Sequence, residues 1–190
     1  MPAIDIPLDG DPLTELMRGQ VQRELDTSLV AELCVIPRRG GAEVEVYLEN
    51  LSAGHRFPSG ASHDRRVWVE LIGYSGSEQV FESGLVGDGQ TVAELDPEEV
   101  WMLHDRAFKA DGSPAHMFWD VARVEHGGLP APNLIFPGTP GYVDPHVGRR
   151  YIAIGDEIDR FSMRVRLRPI GYDVIDDLID TGDLEPAIRD

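Results

Sequence analysis

Cysteine is almost absent from this chain. Cys34 is the only one, which excludes an intramolecular disulfide and any zinc site built from several thiolates. A covalent c-type haem within this chain is excluded as well, because its attachment requires Cys-x-x-Cys-His. Cys34 lies in the run Val30-Ala31-Glu32-Leu33-Cys34-Val35-Ile36 and is expected to be a buried, inert thiol. Long apolar runs are also missing. No stretch of about 18 apolar residues occurs, so no helix is expected to span a membrane. Met1-Pro2-Ala3-Ile4-Asp5 does not read as a signal peptide, since no basic segment precedes an apolar one. This fits a cytoplasmic protein, or a mature or excised domain whose export signal lies elsewhere. Positive charge is scarce: 17 Lys and Arg stand against 34 Asp and Glu, a formal net charge of −17. Nucleic acid and anionic membrane surfaces repel such a chain. A basic protein, a cation or a metal suits it better. Gly-x-Ser-x-Gly, His-Glu-x-x-His and a glycine-rich phosphate loop are all absent, and no residue is assigned as catalytic.

The chain of 190 residues carries 20 glycines and 14 prolines, so turns are frequent and strands short. Its length suits one domain over 1–190. Asp11 to Asp26 reads as a helix, with Asp11 as cap, Pro12 at the first position, and Leu13, Leu16, Met17 and Val21 near helical spacing. Ser28–Ile36 and Ala42–Asn50 read as strands joined by the turn Pro37-Arg38-Arg39-Gly40-Gly41. In the second, Val44, Val46 and Leu48 alternate with Glu43, Glu45, Tyr47 and Glu49, the period of a half-buried strand. Arg66–Tyr74 and Gln79–Ser83 suggest another hairpin. Val100–Phe108 and Met117–Glu125 are weaker strand candidates, and 127–148 reads as a long surface loop. Arg149–Ile154 and Phe161–Arg168 complete the strands. Arg164, Arg166 and Arg168 form a basic stripe expected to pair with Glu43, Glu45 and Glu49 on a neighbouring strand. Asp173–Asp180 reads as a short helix stopped by Gly182. Strands joined by tight turns, with helices only near the ends, predict an all-β fold. It is mainly an antiparallel β-sandwich over 28–170, with short helices in 11–26 and 171–190. An α+β fold with one sheet is the alternative.

The informative stretch is Gly54-His55-Arg56-Phe57-Pro58-Ser59-Gly60. Its glycines permit positive φ or close backbone approach, and Pro58 stiffens it. Phe57 can enter the core while His55 points elsewhere. His55 and His63 flank one loop, and Asp64 offers a carboxylate. Together with His116 they make a candidate mixed N/O site for zinc, copper or iron. The plain alternative is histidines that hydrogen-bond to the backbone. Arg65 and Arg66 beside Asp64 form a salt-bridged anchor under the loop or an anion site, with a fork suited to carboxylates and haem propionates. Trp68, Trp101 and Trp119 are core or rim residues, or a platform for sugars.

The loop, followed by Arg65-Arg66 and Val67-Trp68-Val69-Glu70, resembles the β-sandwich domain found after haem-binding modules in some bacterial multihaem c-type cytochromes. That domain often shows Gly-His-x-Phe-Pro-Thr/Ser-Gly, then Arg and Trp-x-Glu. Phe81-Glu82-Ser83-Gly84 is similar to its Ser-Gly hairpin end, and Arg164-Val165-Arg166-Leu167-Arg168-Pro169-Ile170 with Asp176-Asp177-Leu178 is similar to its C-terminal part. The resemblance spans roughly Ala42 to Asp183. It implies a periplasmic or extracellular setting and a role beside electron transfer. Without Cys-x-x-Cys-His here, it places the haems on another segment or a partner, and makes this the accessory part with a redox protein or haem module as partner. It implies for His55 a role as ligand or hydrogen-bond partner to such a haem. Two other readings compete with this one. One is a metal-dependent enzyme using the His/Asp site around 55–64, and the other a carbohydrate- or protein-binding module.

Overall fold

The computed structural model describes residues 12–133, 135–155 and 157–189. In chain order its elements are α1 (Pro12–Ser28), β1 (Leu29–Arg38), β2 (Gly41–Asn50), β3 (Arg66–Ser75), β4 (Glu78–Ser83), β5 (Trp101–Leu103), β6 (Arg106–Phe108), β7 (Arg123–Glu125), β8 (Val147–Ile154), β9 (Arg160–Arg168) and α2 (Tyr172–Asp180). All the strand pairings are antiparallel. One sheet has the order β1-β2-β8. In the other, β3 is central, with β9 along one side and β4 and β5 sharing the other. β6 and β7 form a small ladder of their own. This is the all-β, antiparallel arrangement with short terminal helices that the alternation and turn chemistry predict. Asp11, the expected helix cap, lies outside the described residues.

The core follows from the period-2 pattern of the two central strands. Val44, Val46 and Leu48 of β2 are fully buried, as are Val67, Val69 and Leu71 of β3. They share one cluster with Tyr151, Leu103, Leu129 and Phe57. Each such aliphatic side chain contributes about 1.5–3 kcal/mol on burial. β3 is covered on its other face too, where Trp68 packs with Val92 and Val100 and donates its indole N–H to the Gly84 carbonyl at 3.0 Å.

That second face also buries Glu70, which β9 neutralises. Arg166 lies 3.2 Å away and Arg164 3.8 Å. The expected pairing of the arginine stripe with Glu43, Glu45 and Glu49 is therefore corrected. β9 pairs with β3, whereas β2 is flanked by β8, so Arg150 and Arg38 meet Glu43 and Arg150 meets Glu45. Cys34 is exposed rather than buried. It sits opposite Glu45 on an edge strand, and so shares the outward face. Val100–Phe108 is not one strand, because His104-Asp105 interrupts it and β5 and β6 enter different sheets. Within Met117–Glu125 only β7 is a strand, and Phe118–Asp120 forms a single 3-10 turn.

Candidate functional site

The loop between β2 and β3 is held from three directions. Its backbone takes positive φ at Gly54 (70°) and Gly60 (71°), a region that L side chains enter at a cost of roughly 1–2 kcal/mol. Phe57 is buried and exchanges two backbone hydrogen bonds with Leu129. Phe57 N–H reaches Leu129 O at 3.1 Å, and Leu129 N–H reaches Phe57 O at 2.7 Å. The segment 127–148 is thus more than a surface loop, since Leu129 is completely buried. Gly128 allows the approach, because a Cβ there would lie 2.5 Å from Phe57 O. The Phe57-Pro58 bond is cis. Asn50, buried at the end of β2, donates its amide to His55 O at 2.5 Å and to Pro130 O at 3.0 Å, and accepts from Ala53 N–H at 3.2 Å. Every amide group of Asn50 is therefore spent on shaping this loop.

Fixing the His55 backbone leaves its imidazole exposed. Nδ1 lies 3.0 Å from the Arg56 carbonyl oxygen, and Nε2 has only a long 3.4 Å contact with Ser59 Oγ. A carbonyl can only accept, so Nδ1 is the protonated nitrogen of the neutral ring. That leaves the lone pair on Nε2 of an exposed ring, with Ser59 Oγ 3.4 Å away. An Nδ1–H···O=C bond that fixes tautomer and direction is the arrangement by which proteins hold histidine as a metal ligand.

His63, Asp64 and His116 converge elsewhere, behind the loop. Asp64 Oδ1 is 3.5 Å from His63 Nε2 and 3.7 Å from His116 Nδ1. His63 Nε2 also donates to His116 O at 3.0 Å. The Asp64 carboxylate, opposed by burial and helped by Asp173 and Asp177, holds the His116 pKa above its usual value. His55 does not join this trio, as its ring nitrogens meet only Arg56 and Ser59 among the described residues. Among the described residues no group of three or more His, Cys, Asp and Glu is arranged to hold a metal ion.

Arg66 is an internal anchor. It is 3% exposed, forms an ion pair with Asp173 of α2, and donates to the carbonyls of His63 at 2.7 Å and Arg65 at 3.0 Å. The anchoring carboxylate is thus Asp173 rather than the adjacent Asp64. Gly171 N–H adds a bond to Asp64 O at 2.7 Å, so the loop's exit is tied to the start of α2. Arg65 is half-buried with its guanidinium near Gly60.

Sequence reasoning missed His104. It lines a cavity of about 680 Å³ together with His63, His116, Arg66 and Asp173. Its burial, reinforced by Arg66 and Arg106, pushes its pKa down to about 4. The charged pair His104-Asp105 within an otherwise strand-like run was the available signal. Two large apolar side chains of the 3-10 turn Phe118–Asp120 are exposed. Phe118 packs edge-on against His63, with ring centroids 4.9 Å apart, and is itself 66% exposed, while its neighbour Trp119 is 81% exposed. Trp68 is in the core, so the three tryptophans do not form one platform.

No family model matches this chain, and no curated protein matches its sequence. Among solved structures, it is similar to a crystal structure of a penta-heme cytochrome c552 from Thermochromatium tepidum, with a TM-score of 0.62 and 14% sequence identity. The match covers 83% of this chain but 36% of that one. The two share a fold over that region, and this chain corresponds to about a third of the cytochrome's length.

Proposed function

We propose that this chain is a non-catalytic accessory domain of c-type cytochrome electron transfer, and that His55 would serve as a nitrogen ligand to a haem carried by a partner or another segment. The observation that carries this reading is the state of His55. Its backbone is clamped by Asn50, its Nδ1 is committed to the Arg56 carbonyl, and its ring is exposed with only a long 3.4 Å contact from Ser59 Oγ at Nε2. When bound there, a haem would supply one-electron chemistry, and this chain's part is to aim the His55 imidazole at it. Arg65, near the surface at Gly60, is the residue placed to meet a propionate, whereas Arg66 acts from below by holding the loop. The fold shared with part of a penta-heme cytochrome supports the same reading. It entails a location outside the cytoplasm, where c-type haem is attached. Among the described residues no helix is long and apolar enough to cross a membrane.

The test is an absorption titration with a haem c peptide that has one open axial position. Addition of the chain should convert its spectrum to that of a low-spin haem with two nitrogen ligands. His55→Ala should abolish the conversion while leaving the circular dichroism unchanged. His126→Ala and His146→Ala, which remove other accessible imidazoles, should leave it intact. Equal titrations for wild type and His55→Ala would sink the assignment.

A further inference from the structure

The cavity behind the loop is built differently from its outer face, and nothing in the His55 reading uses it. Its walls are largely apolar, including Val100, Trp101, Met102, Phe108 and Ala115, and its volume is about 680 Å³. This lies within the range of small-molecule sites, which combine apolar walls with a few polar groups. The polar groups here fall into two sets. The full charges are already answered within the protein. Arg66 and Asp173 neutralise each other, although Arg66 Nε and Asp173 Oδ1 make no hydrogen bond of their own, and Asp105 accepts from Ser62 Oγ at 2.6 Å and Gly127 N–H at 3.3 Å, with His126 3.3 Å away. Arg149 is spent on the carbonyls of Val100, Pro97 and Glu98, and Arg106 on Glu125. The second set is a single atom: Nδ1 of His104 is buried and lacks a hydrogen-bond partner in the protein, whereas Nδ1 of His116 faces Asp64 Oδ1 at 3.7 Å. A buried polar atom left unpaired costs about 1–3 kcal/mol, so a molecule that satisfies such an atom gains by entering.

We propose that this cavity binds a small uncharged aromatic molecule bearing a hydroxyl group, with the ring against Trp101 and Phe108 and the hydroxyl on the imidazole of His104. A carboxylate or an amine would find no free opposite charge on the walls and would lose its hydration. A hydroxyl both donates and accepts, so it suits a neutral imidazole in either tautomer. Burial supports that neutrality by holding His104 uncharged down to about pH 4.

Three probes of one shape separate the possibilities when titrated into the full chain at pH 7 and followed by amide and indole NMR shifts. 2-Naphthol should bind about five- to tenfold more tightly than naphthalene, the gain of one net hydrogen bond, and at least tenfold more tightly than 2-naphthoate. The shifts should centre on Trp101, Met102 and Ala115. His104→Phe should reduce 2-naphthol to the affinity of naphthalene. Ala93→Trp, at an exposed position on the cavity wall, should abolish binding of both, and it keeps the test decisive if His104→Phe does not fold. The proposal is overturned if 2-naphthol and naphthalene bind equally, if naphthoate binds best, if Ala93→Trp changes nothing, or if no probe binds. None of these outcomes depends on whether His55 meets a haem.

Discussion

Replacing His104 by Phe should remove one source of this fold's acid sensitivity between about pH 6.5 and 4. In the folded chain its pKa is pushed down from 6.5 to about 4, first by burial and then by Arg66 and Arg106. A folded-state pKa below the unfolded one means that the unfolded chain binds more protons in the intervening window. Stability then rises with pH from about 4 to about 6.5, and is lost as pH falls through that range. At about 1.4 kcal/mol per pH unit, the displacement amounts to on the order of 3 kcal/mol. His116 acts in the opposite sense, because Asp64 raises its pKa. Its contribution is present below its unfolded pKa and fades as pH climbs through the raised value. The difference between wild type and His104→Phe cancels that second effect. Urea unfolding at half-unit steps from pH 7.5 to 4 measures both proteins. Wild type should lose on the order of 2–3 kcal/mol more than the variant over this range, while the two differ by about 1 kcal/mol or less at pH 7.5. Parallel stability profiles would refute the claim that His104 is held neutral by its surroundings.

Other perturbations probe the frame. Arg66→Met leaves Asp173 without its partner and frees two carbonyls, and should cost about 3 kcal/mol by denaturant unfolding. Gly84→Ala forces a side chain into positive φ against the Val69 carbonyl and should lower stability by at least about 1–2 kcal/mol, read as a drop in Tm. Trp119→Ala removes a side chain that is 81% exposed. It should change stability by no more than about 0.5 kcal/mol, read by denaturant unfolding.

The parts of this structure legible in the sequence are those governed by local alternation. Val44, Val46 and Leu48 announced the core face of β2, and Phe161, Met163, Val165 and Leu167 that of β9. The glycines at 54 and 60 stand where positive φ is required. What stayed hidden depends on which strands become neighbours. Glu70 reads as one more acidic residue until β9 is seen to place Arg164 and Arg166 beside it. Cys34 looks buried in an apolar run, because nothing local reveals that its strand lies at a sheet edge. Likewise the His63–Asp64 pair could be proposed from adjacency, but the partition of the histidines could not. The loop turns His55 outward and His63 inward, and only tertiary contacts with Asn50, Leu129 and α2 decide that.

The central claim is that the loop sets the tautomer of His55 and leaves Nε2 bare for a ligand. Long-range ¹H–¹⁵N correlation of the imidazoles in the free chain at pH 8 reads this directly. The Nδ1–H form, bonded to the Arg56 carbonyl, should dominate at His55, and Arg56 should retain it when Ser59 is replaced by Ala. A dominant Nε2–H form at His55 would contradict the account, because Nε2 would then carry a proton where a lone pair is required.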